Sequence, residues 1–239
     1  LLATLALARR LESIDASADT LASLRPAVID LLRESAAEDA YLRHAAIVAL
    51  SHLRPQTLPD HSSEPPAVRQ AYVVALRRVL PDPKAVERLV ESLNDADANV
   101  VLEAARALHD DRPEPLALPA LAALTRKIQL PEAVLRRALN ARFRSGKADD
   151  ADALAEFAAT PQAPVALRVE AVSMLGDWGQ PSKRDRVTNE WRPLGNRDAL
   201  AAAAASWAAS RPKICRPSGA SSGTMARSFF VLRPGRKIS

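Results

Sequence analysis

Histidine is the side chain in this sequence that most readily supplies a metal ligand or a general base. His44 and His52 are eight residues apart, which is not the one-turn spacing of a helical metal pair, and His61 lies in a proline-rich stretch. The run His109-Asp110-Asp111 suggests a general base oriented by a carboxylate, but it equally suits a helix C-terminus that carries polar residues. We therefore predict structural or surface roles for the four histidines, with no catalytic and no metal-binding residue among them.

Three aspartates, a turn with glycine and one cysteine are the other features that could bind a metal, a phosphate or a cofactor. Asp149, Asp150 and Asp152 stand where a helix is predicted to begin, and carboxylates favour that end of the helix dipole. We interpret them as capping residues, with cation binding as the alternative. Ser145-Gly146-Lys147 lacks the rest of a phosphate-binding loop and is interpreted as a turn at a helix end. The single cysteine, Cys215, excludes a CxxCH haem site and a cysteine zinc site, so no cofactor is expected in this chain.

The composition predicts an all-α protein. Hydrophobic residues make up 48% of the 239 residues but aromatic residues only 4%. Alanine and leucine far outweigh the valine, isoleucine and aromatic residues that strands favour. No apolar run approaches the roughly 18 residues that a membrane span needs, so we predict no membrane segment.

The formal charge of +5 is not spread evenly over the chain. Residues 199–239 contain seven basic residues and no acidic one, so residues 1–198 hold the other 26 basic and all 28 acidic residues and carry a charge of −2. A protein that binds nucleic acid needs basic side chains clustered on one folded face. We therefore predict no nucleic-acid partner. Serine, proline, glycine and arginine dominate residues 211–239, which we predict to be a basic, disordered tail.

Five apolar segments repeat along the rest of the chain. Each opens with an aliphatic residue, carries alanine about four positions later, and has leucine or phenylalanine eight positions after its start. The starts are Leu42, Val68, Val100, Leu135 and Leu167, and the residues eight positions later are Leu50, Leu76, Leu108, Phe143 and Leu175. On a helix these offsets fall on one stripe, so each segment is predicted to be a helix with one buried face. The starts are 26, 32, 35 and 32 residues apart, which is the period of a repeat made of two helices.

The segments between these helices are predicted to be their partner helices. They cover residues 20–33, 84–94, 115–127, 149–160 and 196–209. Asp82 followed by Pro83 predicts the start of one of them. The 26-residue interval is too short for two helices, and four prolines in residues 54–66 predict an irregular connection there. We predict an α-solenoid of about five helical pairs over residues 1–210.

The repeat resembles the HEAT repeat, whose motif joins an aliphatic residue, an arginine, an alanine and a leucine at this spacing. The arginine position is occupied by Arg43, Arg69, Arg136 and Arg168, and the acids three places before the aliphatic residue are Asp39, Asp97 and Glu132. The resemblance implies that these arginines and acids form a ladder between neighbouring repeats. Val101 replaces the arginine of the third repeat, so the ladder is expected to be interrupted there.

Residues 40–195 also resemble the HEAT region of the large bacterial membrane-bound dehydrogenases described as PVC-type haem-binding proteins. The segments RHAAIVAL, VVLEAARALHDD, RRALNARFRSG and LRVEAVSMLGDW carry this likeness. So do residues that generic HEAT packing does not require, namely Asp177, Trp178, Pro181, Asp185, Arg186, Val187, Trp191, Arg192, Pro193 and Leu194. Asn189 stands where a glycine is expected. In those proteins a sugar-dehydrogenase-like β-propeller precedes the solenoid, and a cytochrome c domain with CxxCH follows it.

This resemblance implies a non-catalytic scaffold or spacer within a larger haem-containing dehydrogenase, at a periplasmic or exported location. Haem c would belong to a domain that these residues do not include. The expected partner is a protein or a neighbouring domain, and no small-molecule substrate is expected. The irregular segment 177–194 is the candidate interface, with Trp178 in the core, Trp191 and Arg192 at the contact, and Asp185 and Arg186 beside them. The alternative is that this segment packs on its own repeat.

A second class of function is an enzyme on the same architecture. Some HEAT-like solenoids are DNA glycosylases, and that interpretation would use Asp177, Trp178 and Trp191 with a basic face. The near-neutral body of the chain argues against it, because phosphate contacts need clustered lysine and arginine. Bilin lyase-like HEAT proteins are a third class, but no residue specifically supports chromophore transfer.

Overall fold

In a computed structural model of the chain, the structure describes residues 18–35, 37–58, 61–111 and 115–210. These residues form ten α-helices and no β-strand, which confirms the predicted all-α fold. The helices are α1 Ala18–Ser35, α2 Ala40–His52, α3 Pro66–Arg78, α4 Pro83–Ser92, α5 Ala98–Arg106, α6 Leu118–Ala123, α7 Glu132–Ser145, α8 Ala148–Ala159, α9 Val165–Gly176 and α10 Ala199–Ser210. No helix in this part of the chain has the length and apolar character needed to cross a bilayer. The predicted tail, residues 211–239, lies outside the described residues.

The helices form the two layers of an α-solenoid. The predicted repeat helices α2, α3, α5, α7 and α9 contact one another in that order and make one layer. The partner helices α1, α4, α6, α8 and α10 each pack on a helix of that layer and make the other. This order is the one expected when each repeat buries its apolar stripe against its neighbours along a line.

The residues that end the repeat motif lie in the core. Leu50, Leu76, Leu108, Phe143 and Leu175 are all buried. The alanines of the same stripes, which let helices approach closely, are also buried: Ala46, Ala71, Ala104, Ala138 and Ala171. Two apolar clusters meet within α7, where Ala138 belongs to one and Leu139 to the other. The core is therefore a narrow band that continues along the stack.

The helices begin and end at residues whose side chains or backbone conformations suit helix caps. Asp39, Asp82 and Asp97 each accept two backbone N–H bonds from the first turn of α2, α4 and α5. Pro83 occupies the first turn of α4, where its missing N–H costs nothing. Gly146 ends α7 in the left-handed region with φ of 71°. The turn predicted at Ser145-Gly146-Lys147 is thus confirmed.

The predicted irregular connection lies between α2 and α3. Its described residues form only one 3₁₀ turn, Pro55–Thr57, where the other repeats have a partner helix. The buried hydroxyl of Tyr72 on α3 donates to the carbonyl of Pro55 at 2.5 Å. Arg25 of α1 donates to the carbonyl of Leu53 at 3.0 Å and to the hydroxyl of Thr57 at 2.9 Å. These bonds hold the turn in the place of the missing helix.

Two helices differ from their predicted extents. The partner segment predicted over 115–127 has only six α-helical residues, with a 3₁₀ turn on each side at Pro115–Ala117 and Leu124–Arg126. The helix predicted from residue 196 begins at Ala199, because Asp198 accepts the backbone N–H of Leu200 at 2.9 Å and so marks the start of α10. Beyond α5 the chain continues as a π-helical turn, Ala107–Asp111, which sequence periodicity did not indicate.

Candidate functional site

Residues 177–198, between α9 and α10, lack regular secondary structure, and we call them the strap. The strap leaves and rejoins the solenoid at one point, where the N–H of Arg197 donates to the carbonyl of Gly179 at 3.1 Å. A short hairpin closes further out, through Arg192 N–H to Lys183 C=O at 3.0 Å and Asp185 N–H to Glu190 C=O at 2.8 Å. The strap is therefore a closed loop with a defined shape.

The tip of the hairpin contains a residue with positive φ. Asn189 has φ of 60°, in the left-handed region where glycine or asparagine is tolerated best. Its N–H donates to the carbonyl of Asp185 at 2.9 Å, which closes the turn. The glycine expected at this position is thus replaced by the side chain that adopts the same backbone most readily.

Trp178 anchors the base of the strap in the solenoid core. Its ring is buried and meets the ring of Phe143 edge to face, with centroids 5.9 Å apart. The guanidinium of Arg197 lies 4.5 Å from the Trp178 ring and 4.8 Å from the Phe143 ring, and donates to the carbonyl of Phe143 at 2.6 Å. Burial, and then the charge of Arg144, lower the pKa of Arg197. Trp178 thus lies in the core, as the sequence predicts.

Asp185 is the second anchor, and its side chain is completely buried. One carboxylate oxygen accepts the N–H groups of Val187 and Thr188 at 2.8 and 3.0 Å. The other accepts from Asn140 at 2.9 Å and from Arg144 at 3.2 Å, both on α7. Burial opposes ionisation of this carboxyl, but the backbone N–H bonds and the neighbouring polar groups outweigh it and lower its pKa.

Two arginines extend the strap over three helices of one layer. Arg186 pairs with Asp177, lies 3.4 Å from the hydroxyl of Ser173 on α9, and covers the Phe143 ring at 5.1 Å. Arg192 donates to the carbonyl of His109 at 2.8 Å and also to the carbonyl of Asp110, at the end of the π-helical turn after α5. Asp185, Arg186 and Arg192 thus contact the solenoid itself rather than an outside partner. The segment packs over several repeats, not only on its own repeat as in the alternative.

A buried polar network joins the strap to the π-helical turn. Asn140 Nδ2 donates one hydrogen to Asp185 Oδ2 and lies 2.8 Å from His109 Nε2. Because Asp185 is ionised and can only accept, Asn140 must present its amide nitrogen, and His109 Nε2 must accept the second hydrogen. The His109 proton is therefore on Nδ1, where it is donated to Asp110 Oδ1 at 2.8 Å. Asp110 also accepts from Arg137 at 2.9 Å.

This network explains the run His109-Asp110-Asp111. The imidazole of His109 is only 1% exposed, and both of its nitrogens are occupied by protein partners. A general base must reach the substrate proton directly or through one water, and His109 has no such access. The oriented histidine and carboxylate are real, but their role is to hold the π-helical turn against α7.

Three members of this network were not predicted from the sequence: Arg137, Asn140 and Arg144. A usable signal was present in the repeat alignment. Asn140 lies five positions after Leu135, where the other four repeats have Ile47, Val73, Ala105 and Val172. A polar side chain at a repeat position that is elsewhere apolar indicates a local partner, which for Asn140 is Asp185 of the strap together with His109. Arg137 carries no such signal, because the first two repeats have His44 and Gln70 at its position.

The other histidines and the acidic run do not form a ligand site. In the described part of the chain, no three histidine, cysteine or acidic side chains are grouped as metal ligands would be. Asp150 is buried, pairs with Arg142 at 2.9 Å, and accepts the N–H of Lys147 at 3.4 Å at the start of α8. This is the capping role predicted for the acidic run, while Asp149 and Asp152 are exposed.

The predicted ladder has different partners from those that the motif implies. Arg69 makes two 2.8 Å bonds to Asp95 rather than to Asp97, because the Asp97 carboxylate already caps α5. Asp39 likewise caps α2. Arg136 pairs with Glu170 on α9 at 3.0 Å. Arg168 donates to the carbonyl of Ala158 at 2.8 Å. Of the other positions, Arg43 is partly buried on α2, Glu132 is exposed at the start of α7, and Val101 is buried on α5.

Trp191 differs from the buried anchors Trp178 and Asp185, because it is 62% exposed. It lies on the hairpin opposite Arg184, and the ammonium of Lys183 lies 5.7 Å from its ring. The three residues of the glycosylase interpretation do not share an open site, since Trp178 is buried and Asp177 pairs with Arg186. The strap thus presents one large aromatic side chain to solvent on a backbone that buried contacts hold in place.

Part of the chain matches a known protein family. A family model described as HEAT repeats matches residues 58–141, which run from the irregular connection into α7. No curated protein and no solved structure matches the chain. The strap lies outside the matched range. Residues 58–141 of this α-solenoid therefore resemble HEAT repeats.

Proposed function

We propose that this chain is a non-catalytic scaffold that binds a protein partner or a neighbouring domain through the hairpin of the strap. HEAT repeats typically mediate contacts between proteins, and stacked helical pairs provide a long, rigid support for such a contact. His109, which a carboxylate orients, is enclosed by the chain itself, and this supports a structural role rather than catalysis.

The observation that carries this proposal is the contrast between Trp191 and its neighbours. Asp185 and Arg192 fix the hairpin by buried bonds to α7 and to the π-helical turn, whereas the Trp191 ring projects into solvent. Tryptophan is enriched at the energetic centres of interfaces. A hairpin that is already fixed loses little conformational entropy on binding, so more of the contact energy appears as affinity.

The groups around Trp191 suggest the chemistry of the partner. Lys183 and Arg184 are exposed on the same hairpin. We expect a partner surface with an apolar pocket for the indole ring and carboxylates at its edge. Such charges at the rim of an interface mainly affect the association rate and its dependence on salt.

We further propose that the partner belongs to a larger haem-containing dehydrogenase-like protein. This proposal rests on the resemblance of residues 177–194 to that family, including Trp178, Asp185, Arg186 and Trp191. In that setting the solenoid is a spacer, and the strap is its contact with a neighbouring β-propeller or cytochrome c domain. Haem c would be held by that other domain, because this chain has one cysteine and no CxxCH.

The test measures binding of the chain to separately expressed propeller and cytochrome modules of such a dehydrogenase. We expect Trp191→Ala to weaken binding at least about tenfold, as for a central interface aromatic. Leu116→Ala is the matched control, because Leu116 is 85% exposed and lies on a different element. Arg192→Ala is unsuitable here, since it would disturb the strap itself. Unchanged affinity of Trp191→Ala contradicts the docking surface, and no binding of either module by the unaltered chain contradicts the dehydrogenase setting.

A further inference from the structure

Helix α9 carries three exposed valines in a row. Val165, Val169 and Val172 are 70%, 63% and 59% exposed, while Leu167 and Met174 on the opposite side are buried. The intervals of four and three residues are those of a helix–helix seam. We call these three residues the valine seam. Since apolar side chains on such a stripe gain from burial, the seam has the pattern of a surface that packs against another helix.

The equivalent stripe of the neighbouring helix is covered. A shift of 32 residues, the distance between Leu135 and Leu167, places Val169 and Val172 at the positions of Arg137 and Asn140 on α7. Those two side chains are buried, under Asp110, His109 and Asp185. The strap reaches α9 only beside the seam, through Arg186 and Ser173. The covered surface of this layer therefore continues onto α9 as an open, apolar stripe.

The spacing and the charges of the seam indicate what covers it. A four-three spacing matches a helix rather than an extended segment. The seam itself bears no charge. Beside it, Glu170 is paired with Arg136 at 3.0 Å, and the guanidinium of Arg168 is bound to the carbonyl of Ala158 at 2.8 Å. A second copy of the same helix could thus face it without repulsion between like charges.

The ends of α9 favour an antiparallel arrangement. Its first turn has no side-chain cap, because Pro164 stands at the cap position. Asp177, at the other end, pairs with Arg186 through one carboxylate oxygen, Oδ2, and is about half exposed. When two copies of α9 lie antiparallel, each Asp177 comes close to the uncapped N-terminus of the other helix, where a carboxylate is favourable. We propose that two copies of this chain pair through antiparallel α9 helices, with Val165, Val169 and Val172 at the contact.

The first test measures the oligomeric state of the full chain by sedimentation equilibrium over a wide concentration range. We expect a dimer that Val169→Lys weakens at least about tenfold, because a charge would be buried at the centre of the seam. Val169 is exposed in a single copy, so the variant should fold normally. Leu116→Lys introduces the same charge at another exposed position and should leave the dimer intact. A monomer at all concentrations, or a dimer indifferent to Val169→Lys, overturns the proposal.

The second test examines the antiparallel arrangement by cysteine cross-linking in a Cys215→Ser background. Val169 lies near the middle of the seam, so Val169→Cys should form a disulfide with its own copy. Val165→Cys should not link to itself, but should link when mixed with Val172→Cys. Self-linking of Val165→Cys at the rate of Val169→Cys contradicts the antiparallel pairing. A monomeric chain whose seam binds a helix of a different protein contradicts the choice of a second copy.

Discussion

The guanidinium of Arg192 donates to the main-chain carbonyl of His109, 83 residues earlier in the sequence, at 2.8 Å. That carbonyl lies in the π-helical turn Ala107–Asp111, near a helix end, where carbonyls lack partners within the helix. Contacts in a solenoid are mostly between neighbouring repeats. This bond passes over α7 and joins the third repeat to the segment that follows the fifth. The strap is therefore expected to couple these repeats during unfolding.

Removal of Arg192 should test that coupling. Arg192→Ala should lower the free energy of unfolding by about 2 kcal/mol, because two partly buried carbonyls lose a charged donor. Urea denaturation followed by circular dichroism measures the change. Trp191→Ala is the matched control, since its exposed ring should contribute less than about 0.5 kcal/mol. Equal effects of the two substitutions would argue against a structural role for Arg192.

Replacement of the Asp185 carboxylate should lower the free energy of unfolding by more than the loss of Arg192 does. Asp185→Asn replaces an acceptor-only group by an amide that must point a donor at Arg144 or at backbone N–H groups. We expect a loss of about 3 kcal/mol, as when one partner of a buried charged pair is removed. Asp177→Asn breaks an exposed pair with Arg186 and should cost less than about 1 kcal/mol. Similar unfolding midpoints for both variants in urea would contradict the buried network.

Asp110 should make stability depend on pH in the acid range. Burial opposes its ionisation, but hydrogen bonds from His109 and Arg137 outweigh this and lower its pKa to about 2. An unfolded aspartate has a pKa of about 3.9. The stabilisation is therefore fully present above about pH 4 and is lost as the pH falls towards 2.

The measurement for Asp110 is the urea midpoint as a function of pH. Asp110→Asn should be less stable than the unaltered chain at neutral pH and should show a shallower decline between about pH 4 and 2. Asp149→Asn removes an exposed carboxylate of similar charge and should retain the full decline. An unchanged acid profile in Asp110→Asn would rule out this carboxyl as a source of the dependence.

Gly146 should not tolerate a side chain. Its φ of 71° costs an L-residue about 1–2 kcal/mol, and an added Cβ would clash with Nη1 of Arg197. Since Arg197 would have to leave the rings of Phe143 and Trp178, we expect Gly146→Ala to lose about 2–3 kcal/mol in total. Gly176→Ala is the control, because a Cβ there meets nothing within 4 Å, and this variant should be neutral or slightly stabilising. Thermal denaturation of both variants provides the comparison.

Much of the solenoid could be predicted because it repeats. Leu50, Leu76 and Leu108 recur at the same offset from an aliphatic residue, and an amphipathic stripe of that kind leaves few alternatives to a stacked helix. Caps such as Asp82 with Pro83 depend only on adjacent residues, so they could also be predicted from the sequence. The partner of Arg69 could not be predicted, because Asp95 and Asp97 lie only two residues apart. Only the tertiary structure shows that Asp95 binds Arg69 and that Asp97 caps α5.

The sequence by itself determined the helical class, the order of the helices and the irregular connection after α2, because local periodicity and proline content govern these features. The tertiary structure alone decided the course of the strap and the burial of His109. Asp110, Asn140 and Asp185 lie in three separate parts of the chain and follow no period. Their bonds form only once the helices have stacked, since a buried polar group takes whichever partner the packing brings within reach. The same stacking leaves Trp191 and the valine seam exposed.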